Sequence, residues 1–171
     1  MGDALTPIEP AATPANSGLR VGHVHLKVSD LERAIAFYRD VIGLDVMQRY
    51  GSGAAFLSAG GYHHQIGLNT WESAGGPPPA PNATGLYHVA LVYPDRRALA
   101  VALRRILDHE VPLDGAADHG VSEAIYLRDP DGNGLEIYRD RAPADWPMDS
   151  NGRLAMVNTR LDLDALLKEA S

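Results

Sequence analysis

Cysteine is absent from this chain of 171 residues. That excludes disulfides, thiolate nucleophiles, iron–sulfur clusters and any metal held by sulfur. An excess of positive charge is also missing: the formal net charge is −7, which excludes the basic footprint of a nucleic-acid binder or of a general membrane-surface patch. No apolar run is long enough to span a bilayer. The first eighteen residues are rich in Ala, Pro and Thr and lack both a basic region and an apolar stretch, so they do not read as a secretory signal. They read as a flexible arm, and a cytoplasmic protein is expected. Apolar residues at 45% and charged residues at 22% fall in the ordinary globular range. With sulfur excluded, a metal would be held by His, Asp and Glu, which suits zinc or harder ions such as Fe(II) and Mn(II).

The ordered part of the sequence repeats itself. Val21–Val28 (VGHVHLKV) alternates like a strand, with His23, His25 and Lys27 on one face. Ser29 and Asp30 are N-cap residues for a helix whose apolar positions Leu31, Ala34, Ile35, Tyr38 and Ile42 end at Gly43. Three short strand candidates follow, LDVMQRY, AAFLSAG and HHQIGLN, punctuated by glycines. A proline-rich loop then intervenes. After it a strand over 86–95, a helix (RRALAVALRRILDHEV) and three more strands (VPLDGA, SEAIYLRD, GLEIYRD) repeat the order. HVHLKVSD and HVALVYPD lie 65 residues apart and match by type. The expected fold is therefore α+β: two tandem βαβββ modules that form a curved mixed sheet around a metal-binding cavity, because a unit this small cannot close its own core. The expected boundaries are an arm over 1–18, a first module over 19–75, a linker over 76–85, a second module over 86–140 and a tail with a short helix over 141–171. No chemistry is assigned to the tail; it is expected to pack on the body or on a partner subunit.

Candidate metal ligands follow from the duplication. His23 and His88 open the first strands of the two modules. Glu136 lies in the last strand, between Leu135 and Ile137, so its carboxylate shares a face with Tyr138 and not with them. One histidine on a strand is usually structural and one strand glutamate is usually solvated. Two histidines in matching register with a terminal carboxylate are a stronger signal. Two His and one carboxylate on one side of an ion leave positions open, the facial set that suits non-haem Fe(II) oxygenases. The DPDGNG segment does not fit a calcium loop, because Asp140 stands where that loop needs Glu and both flanks read as strands.

The duplicated units resemble the vicinal oxygen chelate superfamily, which includes glyoxalase I, fosfomycin-modifying enzymes, antibiotic-binding resistance proteins and extradiol dioxygenases. Within it, His119, Ile125, Tyr126, Asp129, Pro130, Gly132 and Glu136 resemble the extradiol signature. HHQIGL resembles the segment that carries an acid–base histidine in those enzymes, which here implies His64, with His63 as the alternative. The resemblance implies a dioxygenase that cleaves a small aromatic diol with O₂. Its metal would be Fe(II), with Mn(II) or another divalent ion as the alternative. His64, His119 and Tyr126 would be catalytic, and a homodimer is expected, with module pairing within or between chains left open. The rivals are a glyoxalase-type isomerase or thiol transferase on the same scaffold, and a metal-free resistance protein that binds a small molecule. Tryptophans 71 and 146 are candidate walls of an aromatic pocket.

Overall fold

The computed structural model describes residues 18–170. The arm expected over 1–18 thus lies, apart from Gly18, outside the described residues. The first module runs β1 (Val24–Lys27), α1 (Leu31–Ala36), a π-helical turn (Phe37–Ile42), β2 (Asp45–Tyr50), β3 (Ala54–Ser58) and β4 (Ile66–Asn69). The second runs β5 (Val89–Tyr93), α2 (Arg96–Asp108), β6 (Leu113–Asp118), β7 (Ser122–Arg128) and β8 (Gly134–Asp140). The tail adds β9 (Thr159–Arg160) and α3 (Leu163–Leu167). Each first strand is shorter than its alternation predicts. His23 and His88 therefore stand one residue before β1 and β5 and not inside them.

The strands form two mixed sheets, ordered β1-β4-β3-β2 and β5-β8-β7-β6-β9. In each, the first strand of the module runs parallel to the last and the other pairs are antiparallel. A single curved sheet, as expected from the sequence, does not form within the chain. Its two halves would have to join at β1 and β5, which are both edges. A cleft lined by Val24, Leu44, Ala90, Val92 and Arg105 separates them instead.

Both helices start with the same chemistry. The side chain of Asp30 accepts from the Arg33 amide, and that of Asp95, 65 residues on, accepts from Ala98. The first helix stops at Gly43, which has a φ of +93° and whose amide reaches the Tyr38 carbonyl. A β-carbon there would sit 1.7 Å from Arg105 Nη1, so both backbone and space demand glycine. One apolar core joins the modules. Leu26, Leu57, Ile66 and Leu68 of the first sheet and Ile125, Leu127, Leu135 and Ile137 of the second pack with Ile35, Tyr38, Leu99, Leu103 and Ile106 of the helical segments. Each such side chain contributes about 1.5–3 kcal/mol by leaving water. The opposite faces stay open: His25, Lys27, Met47, Ala90 and Val92 are exposed.

A second bond between modules is polar. The buried Asp129 accepts from the Tyr38 hydroxyl at 3.0 Å. Asp131 takes the Ser29 amide and hydroxyl and the Arg33 guanidinium. The DPDG turn of the second module is thus fastened to the head of α1. The tail is docked as well, through β9 on β6, Leu161 and Leu166 in the core, and an Arg96–Glu169 ion pair. No helix among the described residues is long and apolar enough to cross a membrane.

Candidate metal and substrate site

The second module gathers four of the six expected side chains. Parallel pairing sets Ala90 of β5 opposite Glu136 of β8, while Leu135 and Ile137 turn into the core. Glu136 therefore faces the open side. His88 Nε2 stands 2.9 Å from Glu136 Oε2. Tyr126 lies opposite Glu136 in the β7–β8 register, and its hydroxyl is 3.3 Å from Glu136 Oε1. His119 follows β6, with Nε2 at 2.8 Å from the Tyr126 hydroxyl. A continuous polar chain results: His119, Tyr126, Glu136, His88. His119, Tyr126 and His88 of that chain line a cavity of about 360 Å³ with Tyr87, Arg128 and Asn158 among its other walls. Burial first, then the negative Glu136, pushes the Tyr126 phenol up to about 12. It stays protonated at neutral pH and serves as a hydrogen-bond donor.

The other two side chains stand together on the first sheet. The ring centroids of His23 and His64 are 4.4 Å apart, and Phe56 packs on His64 at 4.9 Å. His64 Nδ1 is 2.8 Å from His63 Nδ1. His64 is half-buried and turned toward His23, whereas the exposed His63 stacks on Tyr62. Partial burial, then the neighbouring imidazoles His23, His63 and His25, lower the pKa of His64 below its ordinary 6.5. His25 sits beside Trp71 at 5.6 Å, outside the second module's cavity. Trp146 donates to the Arg141 carbonyl and does not line that cavity either. Among the described residues no three His, Asp or Glu side chains come close enough to hold one ion. One chain thus presents a His88–Glu136 pair on one sheet and a His23–His64 pair on the other.

The first module has no counterpart of Glu136. His25 and Ala90 are equivalent under the 65-residue offset. His25 pairs with Gly67 where Ala90 pairs with Glu136. A β-carbon on Gly67 would lie 2.9 Å from the His25 ring, so the position opposite that ring is closed to a carboxylate side chain.

Sequence reasoning missed Tyr87, Val157 and Asn158. Tyr87 adjoins a named ligand and was within reach of inspection. Val157 acts through its backbone: its carbonyl lies 3.2 Å from His119 Nδ1. No residue pattern announces such a contact.

Residues 20–137 match the family model of the Glyoxalase/Bleomycin resistance protein/Dioxygenase superfamily. The chain is 40% identical over 158 residues to a catechol-2,3-dioxygenase of Bacillus subtilis (strain 168), covering 92% of this chain and 54% of that one. It is 30% identical over 121 residues to biphenyl-2,3-diol 1,2-dioxygenase 3 of Rhodococcus globerulus, covering 71% and 63%. The chain therefore spans between half and two thirds of the length of these relatives. A solved glyoxalase/dioxygenase of Nostoc punctiforme superposes with a TM-score of 0.62 at 21% identity, over 80% of this chain and all of that one. The duplicated βαβββ order, the two mixed sheets and the match over 20–137 together show that the chain belongs to the glyoxalase/bleomycin resistance/dioxygenase superfamily.

Proposed function

We propose that the protein is an extradiol-type dioxygenase that opens a catechol-like ring with O₂ and uses Fe(II) held by His88, Glu136 and His23. The observation that carries this reading is the continuous His119–Tyr126–Glu136–His88 chain, of which His119, Tyr126 and His88 line the cavity. Similarity to two ring-diol dioxygenases supports it. His88 and Glu136 fit a metal centre, since an imidazole nitrogen and a carboxylate oxygen already converge. His23 belongs to the other sheet, so the third ligand comes from a second copy of the chain, and a homodimer carries two composite centres. His64 accompanies His23 across that interface.

The ion supplies, when bound, activation of a vicinal diol and electron exchange with O₂. The chain's own residues do the rest. Tyr126 donates its proton-bearing hydroxyl to a diol oxygen as negative charge grows there. His119 holds that phenol in place. His64, with its depressed pKa, is neutral and ready to accept a proton at Nε2 or Nδ1 near neutral pH. Tyr87 and Tyr126 wall the cavity and suit a flat aromatic substrate. The glyoxalase-type reading calls for a carboxylate from the first module, where Gly67 stands.

Anaerobic loading with Fe(II) followed by a screen of catechols tests the reaction. A ring-fission chromophore is the expected result; iron-loaded protein that opens no catechol overturns the reading. Mixing His23→Ala with His88→Ala protein tests the composite centre. Exchange of subunits should restore about a quarter of the wild-type sites, because half the dimers are mixed and each mixed dimer holds one intact centre. No recovery after exchange would place all three ligands in one chain.

A further inference from the structure

The two histidines that open the modules each stand one residue before a first strand, yet the chain carries them differently. His23 is exposed, whereas His88 is half-buried and reaches Glu136. The registers show where the difference starts. Val24 pairs with Ile66 and Val89 with Leu135, so one step back the histidines lie opposite Gln65 and Gly134. Gln65 has a side chain, which accepts from the Ser58 hydroxyl and the Ala59 amide. Gly134 has none, and the backbone of Tyr87 and His88 fills the space. A β-carbon on Gly134 would lie 2.2 Å from the Tyr87 carbonyl oxygen and 3.1 Å from His88 Cβ. Gly134 does not take a positive φ, so the close approach and not backbone freedom demands glycine.

Side chains alternate along β8, so one at 134 would rise on the same face as Glu136, two residues on. Tyr87 and His88 cross the strand on that face. On its other edge β8 is held by seven residue pairs with β7, so the exposed Tyr87 and its neighbour are what must give. Carbon and oxygen approach to about 3.3 Å at closest, so a side chain at 134 drives the Tyr87–His88 peptide outward by about 1 Å. The 2.9 Å contact of His88 Nε2 with Glu136 Oε2 does not survive a shift of that size.

The geometry points to Gly134 as a positioning residue: its missing side chain lets Tyr87 and His88 lie flush on β8 and so sets the His88 imidazole against the Glu136 carboxylate. The first module, with Gln65 in that place and Gly67 in the place of Glu136, builds no such pair. The placement is independent of the reaction assigned to the site. Its consequence for metal affinity rests on the Fe(II) reading.

The full chain, metal-free, is examined by NMR for through-space contacts between the His88 ring protons and the Glu136 side chain. Wild type should show them, and their absence overturns the proposal. Gly134→Ala is compared with Gly115→Ala, a change in the same sheet at which a β-carbon meets nothing within 4 Å. Gly134→Ala should lose the contacts and Gly115→Ala should keep them. A change that merely loosened the fold would lower the melting temperature and leave the contacts in place; that result in Gly134→Ala overturns the proposal. Should Gly134→Ala alone not fold, two glycines inserted after Gly85 in the exposed loop give the crossing room to rise. That variant should fold without the contacts, and its failure to fold overturns the proposal. Co(II) titration of the same proteins should show binding about 10- to 100-fold weaker in Gly134→Ala, with altered absorption bands, the scale of a lost support for a metal ligand. Loss of the contacts with wild-type Co(II) binding overturns the bearing on the metal. Wild type that shows the contacts and binds no Co(II) removes the metal reading and leaves the positioning role standing.

Discussion

On the proposed mechanism Tyr126 and His64 divide the proton chemistry between two sheets, and each makes its own prediction. Tyr126→Phe keeps the ring and removes only the donor. Loss of about 10²-fold in kcat is expected, with metal content unchanged; stopped-flow turnover and iron analysis together check it. Glu136→Ala should instead remove metal binding itself, seen as loss of iron after gel filtration. For His64 the pH dependence of stability is the signature. Its folded-state pKa lies below its ordinary 6.5, so above 6.5 both folded and unfolded chains leave it neutral. Below 6.5 the unfolded chain binds the proton first, and stability is lost as the pH falls. The melting temperature of metal-free protein should decline below pH 6.5, and less steeply in His64→Gln. At this scale much of the site was legible in the sequence. Of the four side chains that stand together, His88 and Glu136 were legible from the repeat register and strand alternation, and His119 and Tyr126 from the resemblance to the extradiol signature. His23 was legible as a partner of His88 by register alone, but register within a repeat carries no distance between repeats.

At the scale of elements, Gly43 ties three pieces together. It ends the first helical segment, turns the chain into β2 and leaves room for Arg105 of α2. Gly43→Ala combines a left-handed backbone penalty with displacement of that guanidinium. A loss of about 1–3 kcal/mol is expected by urea denaturation. Adding Arg105→Ala should recover the part due to the clash, so the two changes are not additive. The elements themselves were legible from the sequence, since Asp30 and Asp95 cap both helices and glycines punctuate the strands. Two features were not. The π-helical turn over Phe37–Ile42 leaves no mark in the sequence, where the buried Phe37, Tyr38, Val41 and Ile42 keep the spacing of an ordinary helix. The two-residue β9 is too short to show any alternation.

For the whole molecule, the expected single curved sheet proved to be two, because β1 and β5 remain edges within one chain. Residue pattern specifies which face of a strand is buried but not which edge finds a neighbour. Tyr38→Phe probes what holds the halves together, since it deletes the buried bond to Asp129. A cost of about 1–3 kcal/mol is expected, with an unchanged urea m-value.

The fastening of the DPDG turn to the head of α1 has a practical corollary for dissecting this chain. The proline-rich loop over 76–85 is exposed along most of its length, whereas the bonds from Ser29, Arg33 and Tyr38 to Asp129 and Asp131 pass from one half to the other without it. A protease nick in that loop should leave two fragments that co-elute and part only in denaturant, and either half produced alone should need the other to become soluble.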